Sequence, residues 1–363
     1  MKKFDWYILK KFFTTFFFSI FLFTVIAVAV DISEKTDDFV ASKLGAADIF
    51  MKYYLGFIPY IIALLFPLFV FIAVIFFTSK LALKSELIAV LASGTSFSRM
   101  MRPYWVGGIL LAILLAVGAN FYLPVANTIR TTFEAKYVNV NSSYDPLMRS
   151  SRSIYFRIDS FTYAGIRNYD TASKSGGPFF MHRIKNDELV YNLRAENIKW
   201  DTAIKNWRLQ TVIERSINGI KEKVDFMQKK EMKFNFKPFD LSRDEYAKDK
   251  LTTPELQDFV KLEKMRGSEG LNALEIEQYK RLATPLAVII LTIIGASIAS
   301  RKVRGGSGAH IALGIVLAVT FILMDRFSTI FSTKGNLPPV IAAWIPDVVF
   351  GFIAVFIYRK APK

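Results

Sequence analysis

The feature that most constrains the fold is a series of uncharged apolar stretches long enough to cross a membrane as helices. Residues 12–30 are nineteen consecutive uncharged residues, and about twenty apolar residues span the roughly 30 Å hydrocarbon core of a bilayer. Further stretches of this kind follow, and the predicted spans are residues 12–30, 55–78, 105–125, 283–300, 311–324 and 340–358. The sequence therefore predicts an α-helical integral membrane protein with six transmembrane helices.

The first apolar stretch fits two kinds of segment. Four lysines precede it, and residues 27–29 (Ala-Val-Ala) resemble a signal-peptide cleavage site. The stretch is longer than the 7–15 residues, roughly, of a signal-peptide core, and more spans follow. We therefore expect a retained membrane anchor.

The composition excludes several classes of protein. The chain has 363 residues and a formal charge of +16, but neither a basic helix nor an aromatic RNA-binding motif accompanies that charge. It has no cysteine and two histidines, so a thiolate or histidine metal centre is not expected. We expect no cofactor and no nucleic-acid partner.

The basic excess instead indicates the orientation in the membrane, because lysine and arginine near span ends resist translocation. With the N-terminus inside, the inner segments hold fourteen basic residues and the short outer loops five; the inner segments are 1–11, 79–104, 301–310 and 359–363, and the outer loops 31–54 and 325–339. Both termini are therefore predicted to be cytoplasmic. The long polar interval between the third and fourth spans is then exported.

This exported interval is predicted to be β-rich in its first two-thirds. Short segments of strand length alternate or cluster apolar residues between turn-forming residues; they are 154–158, 161–165, 189–193, 207–213 and 232–236. The pattern predicts an inserted periplasmic β-jellyroll-like domain. Two helices should follow, one from Thr252 to Gly267 and one from about Leu271 that continues into the fourth span.

The predicted domains are residues 1–125 (spans one to three, with a helix over 85–94), 126–250 (the periplasmic β-jellyroll-like domain), 251–282 (a helical connector) and 283–363 (spans four to six).

The segment between the second and third spans is predicted to be a short amphipathic helix. Ser85 can cap its start, and Gly94 can end it. Glu86 lies in its first turn, where the helix dipole favours a carboxylate. One apolar stripe follows from the i, i+3, i+4 spacing of Leu87, Val90 and Leu91. The helix could be a plain connector or a docking element on the cytoplasmic side.

Charged residues near the spans are further candidates, since ionisable groups at membrane depth are costly to bury. Asp347 lies inside the sixth span, and Asp325 and Arg326 end the fifth. These three could form interhelical hydrogen bonds or surface charge pairs, or mark a functional site. Basic residues just outside the first and third spans could be solvated or could meet anionic head groups; they are Lys35, Arg130 and Lys136.

Motifs of the common hydrolases and nucleotide-binding enzymes are missing from the sequence. The glycine-rich segment 304–308 lacks the lysine and the preceding strand of a P-loop, and neither G-x-S-x-G nor H-E-x-x-H occurs. The chain is therefore predicted not to be an enzyme. Any ATP used with it should bind to another chain.

The order of these segments resembles the LptF/LptG permease family over nearly the whole chain. The similarity rests on three spans, an exported β domain and three more spans, together with three motifs: SELIAVLASG at 85–94, KRLATPL at 280–286 and GNLPPVIAAWIP at 335–346. The resemblance implies a transmembrane subunit of an ATP-driven exporter of lipopolysaccharide in the bacterial inner membrane. The implied partners are a second permease of the same family, a cytoplasmic ATPase dimer, and periplasmic jellyroll proteins that form a bridge for the lipid.

The resemblance also implies roles for the candidate residues. The helix over 85–94 would dock on the ATPase, with Glu86 as its ionic contact and the apolar stripe as its hydrophobic contact. Lys35 and Arg130 would meet lipid A phosphates, and the first and fifth spans would form a lateral gate. The family usually has Asn at the position of Asp347, so the role of this carboxylate does not follow from the resemblance.

Two other classes of function remain open from the residues alone. One is a membrane-embedded lipid-modifying enzyme with Asp347 and the outer charges as its site. The other is a mechanotransmission or scaffold protein that uses the exported domain without moving lipid.

Overall fold

The structure, a computed structural model, describes residues 3–138, 154–170, 173–219, 221–241, 247–266, 270–301 and 307–360. It divides into two compact units. The helix unit comprises Met1–Phe133, Lys248–Leu256 and Asn272–Lys363, and the sheet unit comprises Glu134–Ala247 and Gln257–Leu271.

The helices of the first part of the chain are α1 (Lys3–Glu34), α2 (Thr36–Ala41), α3 (Ala46–Ile49), α4 (Leu55–Leu83), α5 (Glu86–Ala92), α6 (Phe97–Val117) and α7 (Leu123–Phe133). A π-helical segment joins α3 to α4 (Phe50–Tyr54), another joins α6 to α7 (Gly118–Tyr122), and a third follows α7 (Glu134–Val138). The predicted domain boundary after residue 125 thus falls inside a continuous helical segment, Phe97–Val138.

The later helices are α8 (Pro238–Leu241), α9 (Ala247–Lys250), α10 (Thr253–Arg266), α11 (Leu271–Ala299), α12 (Ser307–Thr333) and α13 (Pro339–Arg359). The predicted start of α10 is confirmed, and both the backbone N–H and the hydroxyl of Thr252 donate to the Glu255 carboxylate, at 2.9 and 2.6 Å. These two hydrogen bonds hold the pKa of Glu255 below its usual value. The second predicted helix and the fourth span are one helix, α11.

The prediction of six membrane-spanning helices is confirmed. Within the described ranges, six helices are long and apolar enough to cross a bilayer: Lys3–Glu34, Ala46–Leu83, Phe97–Val138, Leu271–Ala299, Ile311–Thr333 and Pro339–Arg359. The second and fourth spans are the most buried within the unit, at 56% and 67% of their apolar windows. They therefore form its centre, while the first and fifth spans keep most of their surface available to lipid.

The core of the helix unit is aromatic and closely packed. Phe12 of α1 stacks on Phe77 of α4 with ring centroids 5.6 Å apart, and Phe77 stacks in turn on Tyr104 of α6. Aromatic pairs at such distances stabilise a core beyond the area that they bury. The phenylalanine-rich first span is thus fixed to its neighbours by ring contacts along one face only.

The described residues of the sheet unit form seven strands: β1 (Ile154–Asp159), β2 (Thr162–Ile166), β3 (Ser175–Gly176), β4 (Phe179–Lys185), β5 (Glu188–Asp201), β6 (Asn206–Asn218) and β7 (Lys221–Met232). They form one antiparallel sheet in the order β1-β2-β4-β5-β6-β7, with β3 pairing to β5. The predicted inserted β domain of jellyroll-like type is therefore confirmed as a β-sheet region within the helical chain.

One face of this sheet is covered by apolar side chains from strands and from the segment after β7. Trp207 is fully buried and donates its indole N–H to the carbonyl of Phe236 at 2.9 Å. The predicted strand at residues 232–236 is wrong, because β7 ends at Met232 and the next residues pack their rings on the sheet instead. The strand was predicted because Phe234 and Phe236 alternate with polar residues, as apolar residues do in a strand.

Candidate functional site

The short helix α5 joins the end of α4 to the start of α6 and packs on its own unit. Leu87 has no exposed surface and belongs to the core of the helix unit, whereas Val90 and Leu91 are half-buried. Ile88 and Ala89 face outward. The apolar stripe predicted from the sequence therefore anchors α5 to the spans, and the surface open to a partner lies on the neighbouring face.

The predicted cap of α5 is wrong at its start. Ser85 has φ of +59°, and its side chain makes no capping hydrogen bond. A capping serine normally needs an extended backbone to reach the free amides of the first turn. At the other end Gly94 has φ of +84°, and its N–H donates to the carbonyl of Leu91 at 3.0 Å, so glycine ends the helix as predicted.

The first turns of α1 contact both α5 and α6. The hydroxyl of Tyr7 donates to Oε2 of Glu86 at 2.9 Å. Nearby in the sequence, the buried carboxylate of Asp5 accepts from the guanidinium of Arg99 at 2.9 Å. The predicted ionic residue of α5 is thus bonded to the start of the first span, a contact that no local sequence pattern indicates.

At the other end of α1, Lys35 is engaged by a buried carboxylate. Asp31 is 6% exposed and accepts from Lys35 at 2.8 Å, from Tyr53 at 3.0 Å and from Tyr54 at 3.1 Å. Lys35 also donates to the hydroxyl of Tyr53 and lies 4.6 Å from the centre of that ring. The ammonium group is therefore held at a fixed place at the end of the first span.

The other two predicted basic residues lie in different surroundings. Arg130 on α7 is buried, and its guanidinium lies 4.0 Å from the ring centre of Tyr60 on α4. Lys136 belongs to the sheet unit, where its ammonium lies 5.0 Å from the ring of Tyr137.

Arg281 is a residue that the sequence analysis missed. It is buried at the start of the fourth span and donates to the carbonyls of Lys248 and Leu251, at 3.0 and 2.8 Å, and to the hydroxyl of Thr253 at 3.0 Å. A further hydrogen bond, in which Asn127 of α7 donates to the carbonyl of Asp249 at 3.0 Å, holds the same segment. The segment before α10 is therefore fixed to α7 and α11.

The three predicted intramembrane charges line one cavity of about 410 Å³ inside the helix unit. Asp325 on α12 forms an ion pair with Lys280 on α11 at 2.6 Å. Asp347 on α13 is buried, and among the described residues none donates a hydrogen bond to its Oδ2 atom. Arg326 lines the same cavity. The fourth, fifth and sixth spans thus bring together charges that are far apart in the sequence.

Within the parts of the chain that the structure describes, no group of three or more His, Cys, Asp or Glu residues could hold a metal ion. The geometry is that of helices linked by charged side chains around a cavity.

Comparison with known proteins decides the family. A family model described as lipopolysaccharide export system permease LptF/LptG matches residues 6–360. The chain belongs to this family.

The relatives of this LptF/LptG chain have low sequence identity to it, but they align with it over nearly the full length of both chains. It is 22% identical over 361 residues to the lipopolysaccharide export system permease protein LptG of Escherichia coli strain K12, covering 98% of each chain. The protein of the same name from Escherichia coli O6:H1 strain CFT073 gives the same identity and coverage. The similarity thus includes all six spans and the inserted sheet, and the family is one of inner-membrane permeases.

Proposed function

We propose that this chain is the permease subunit of an ATP-driven exporter that extracts lipopolysaccharide from the outer leaflet of the inner membrane. In this proposal it works with a second LptF/LptG permease and a cytoplasmic ATPase dimer, and passes the lipid to a periplasmic bridge of β-jellyroll proteins. Membership of the permease family supports the transport role. The fourteen-to-five distribution of basic residues supports cytoplasmic termini, a cytoplasmic α5 and a periplasmic sheet unit.

The observation that carries the coupling mechanism is the hydrogen bond between Tyr7 and Glu86. It joins α5, where an ATPase would dock, to the first span, which has the least buried apolar window of the six at 11%. The Asp5–Arg99 ion pair joins the same end of α1 to α6. Movement of α5 would therefore be transmitted to the first span through side-chain bonds as well as through the backbone.

The burial of Leu87 changes which residues can meet the ATPase. A fully buried side chain fixes α5 to the spans, so the docking surface consists of Glu86 and the outward residues Ile88 and Ala89, with half-buried Val90 and Leu91 at its margin. Leu87→Asp would then place a charge inside the core and unfold the unit. Glu86→Arg tests the coupling without disturbing the core.

We expect Glu86→Arg in the purified complex to lower lipid extraction several-fold, because it removes the hydrogen bond to Tyr7 and reverses a charge on the docking surface. The measurements are lipid-stimulated ATP hydrolysis and release of labelled lipopolysaccharide from proteoliposomes.

Tyr7→Phe should leave ATP hydrolysis in place and reduce extraction, since it removes only the link to α1. Glu188→Arg, an equal charge reversal at an exposed position of β5, is the control. Normal extraction by Glu86→Arg would refute the proposal.

Basic side chains near the outer ends of the first and third spans are proposed to contact the anionic head group of the lipid. Lys35 is the best supported, because Asp31 and Tyr53 hold its ammonium in place while part of its side chain stays accessible. Arg130 stacks on Tyr60 and is less accessible. Lys136, the third basic residue of this prediction, belongs to the sheet unit.

A further inference from the structure

The cavity inside the helix unit is lined by both apolar and charged side chains. Its apolar lining comes from the second, third and fifth spans and includes Leu64, Leu68, Leu115 and Phe321. Its charged lining comes from α9, α11, α12 and α13. A cavity of about 410 Å³ with this mixed lining fits part of an amphiphile, with hydrocarbon against the leucines and a polar head group against the charges.

The charged residues of the lining do not all form ion pairs with one another. Lys280 and Asp325 form a pair at 2.6 Å. Asp347 is 4% exposed and lines the cavity, and no described residue donates to its Oδ2 atom. Arg326, one residue after the paired aspartate, lines the cavity without an ion pair to any residue that the structure describes. One buried carboxyl group and one arginine are therefore left to meet a ligand.

The other four charges of the lining lie on α9 and the first half of α11. They are Lys248, Asp249, Glu277 and Arg281, two of each sign, and Arg281 pairs with Glu277 at 3.5 Å. They add no net charge to the cavity. A cationic group on the ligand would compensate Asp347, which is buried where an unpaired charge is costly. An anionic group on the same ligand would meet Arg326, whose side chain is exposed. A ligand with both charges in its head group would compensate both.

We propose that this cavity binds an amphiphile whose head group carries a protonated primary amine beside a phosphate, with the amine on Asp347 and the phosphate towards Arg326. A primary ammonium can donate to the free carboxylate oxygen, and arginine suits phosphate recognition. Two sources share this chemistry: a membrane phospholipid of the phosphatidylethanolamine type, and a lipopolysaccharide whose phosphate bears an amine substituent. The proposal goes beyond the export function, since the phospholipid would bind whether or not the chain moves lipopolysaccharide.

The first test uses the wild-type complex and varies only the lipid. Delipidated complex in detergent is titrated with phosphatidylethanolamine, with its N-acetylated form and with phosphatidylglycerol, and bound lipid is counted by native mass spectrometry. We expect about tenfold tighter retention of phosphatidylethanolamine than of the two lipids that lack the charged amine. Equal retention of the three lipids would overturn the proposal without any variant having to fold.

The second test assigns the two charges. Asp347→Asn keeps the size of the side chain and should abolish the tenfold preference for the amine, whereas Arg326→Gln should weaken phosphatidylethanolamine and phosphatidylglycerol alike. Asp48→Asn, at an exposed position outside the cavity, should change neither. An unchanged preference in Asp347→Asn would overturn the assignment.

A competition experiment separates the two sources. If amine-substituted lipopolysaccharide displaces phosphatidylethanolamine and the unsubstituted form does not, the site binds the exported lipopolysaccharide through its amine substituent. If neither displaces it, the site holds a phospholipid of the membrane. Equal displacement by both forms would show that the amine is not recognised. Lipid extraction by the same variants is measured separately, so a failure of this site and a failure of the export proposal give different results.

Discussion

At the scale of single residues, buried charges organise the helix unit. Asp5 bonds to Arg99, Asp31 bonds to two tyrosines and to Lys35, and Arg281 bonds to backbone carbonyls of the segment before α10. Breaking such buried pairs is strongly destabilising because it leaves an uncompensated charge. These residues therefore fix which helices are neighbours.

Asp249 provides a prediction at this scale. Burial raises its pKa to about 6 from 3.8, and repulsion from Glu277 adds to the shift. Between these two values the folded chain binds more protons than the unfolded chain, so the free energy of unfolding falls as pH rises from 4 to 6 and stays lower above that. We expect Asp249→Asn to stabilise the protein at pH 8 by ~1–3 kcal/mol and to have little effect at pH 4.

This prediction is checked by thermal unfolding of the detergent-solubilised protein across that pH range. Asp258→Asn is the matched control, because its carboxylate is exposed and its ion pair with Lys261 contributes little. A variant at Asp249 that follows the wild-type pH profile would contradict the assignment.

At the scale of elements, the contact between α4 and α7 depends on one glycine. A Cβ atom at Gly56 would lie 2.3 Å from the carbonyl oxygen of Ala126 and 2.6 Å from the backbone nitrogen of Arg130. Both neighbours are backbone atoms, which cannot move aside as a flexible side chain can. The two helices therefore approach closely only because this position has no side chain.

We expect Gly56→Ala to destabilise the helix unit by ~1–3 kcal/mol, since the helices must separate to admit the methyl group. Gly118→Ala is the control: this glycine is also helical but has nothing within 4 Å of its Cβ position. Helix propensity alone would make both changes neutral or slightly stabilising. The difference between the two midpoints of thermal unfolding measures the packing effect, and equal midpoints would count against it.

At the scale of the whole molecule, the chain consists of a helix unit and an inserted sheet unit whose sides of the membrane are predicted by charge. The natural absence of cysteine allows single cysteines to report that orientation directly. Ala92 on α5 and Ala203 in the loop between β5 and β6 are both exposed. One belongs to the helix unit and the other to the sheet unit.

We expect a membrane-impermeant maleimide to label Ala203→Cys in intact spheroplasts and to label Ala92→Cys only after lysis. The reason is that the basic residues flanking α5 keep this loop inside. The cysteine-free parent chain gives the background. Labelling of Ala92→Cys before lysis would reverse the proposed orientation and with it the docking role of α5.

The sequence by itself determined the number of spans, the inserted β domain and the existence of α5. These features depend on local composition and period: uncharged stretches of span length, alternating segments, and an apolar stripe ended by Gly94. Strand β7 was missed because it has four lysines and little buried surface, so alternation gives no signal there. The resemblance to the permease family also came from the sequence, through the order of segments and three motifs.

The tertiary structure decided what the charged and apolar side chains meet. An apolar side chain such as Leu87 fits a docking surface as well as a core. Only the packing of α5 on the spans shows that Leu87 belongs to the core. Tyr7 and Glu86 are 79 positions apart, and Lys280 and Asp325 are 45 apart, so no local pattern relates them. The sequence shows that a charge lies in a span and is costly to bury, but its partner comes from another helix. For Oδ2 of Asp347, no described residue supplies that partner.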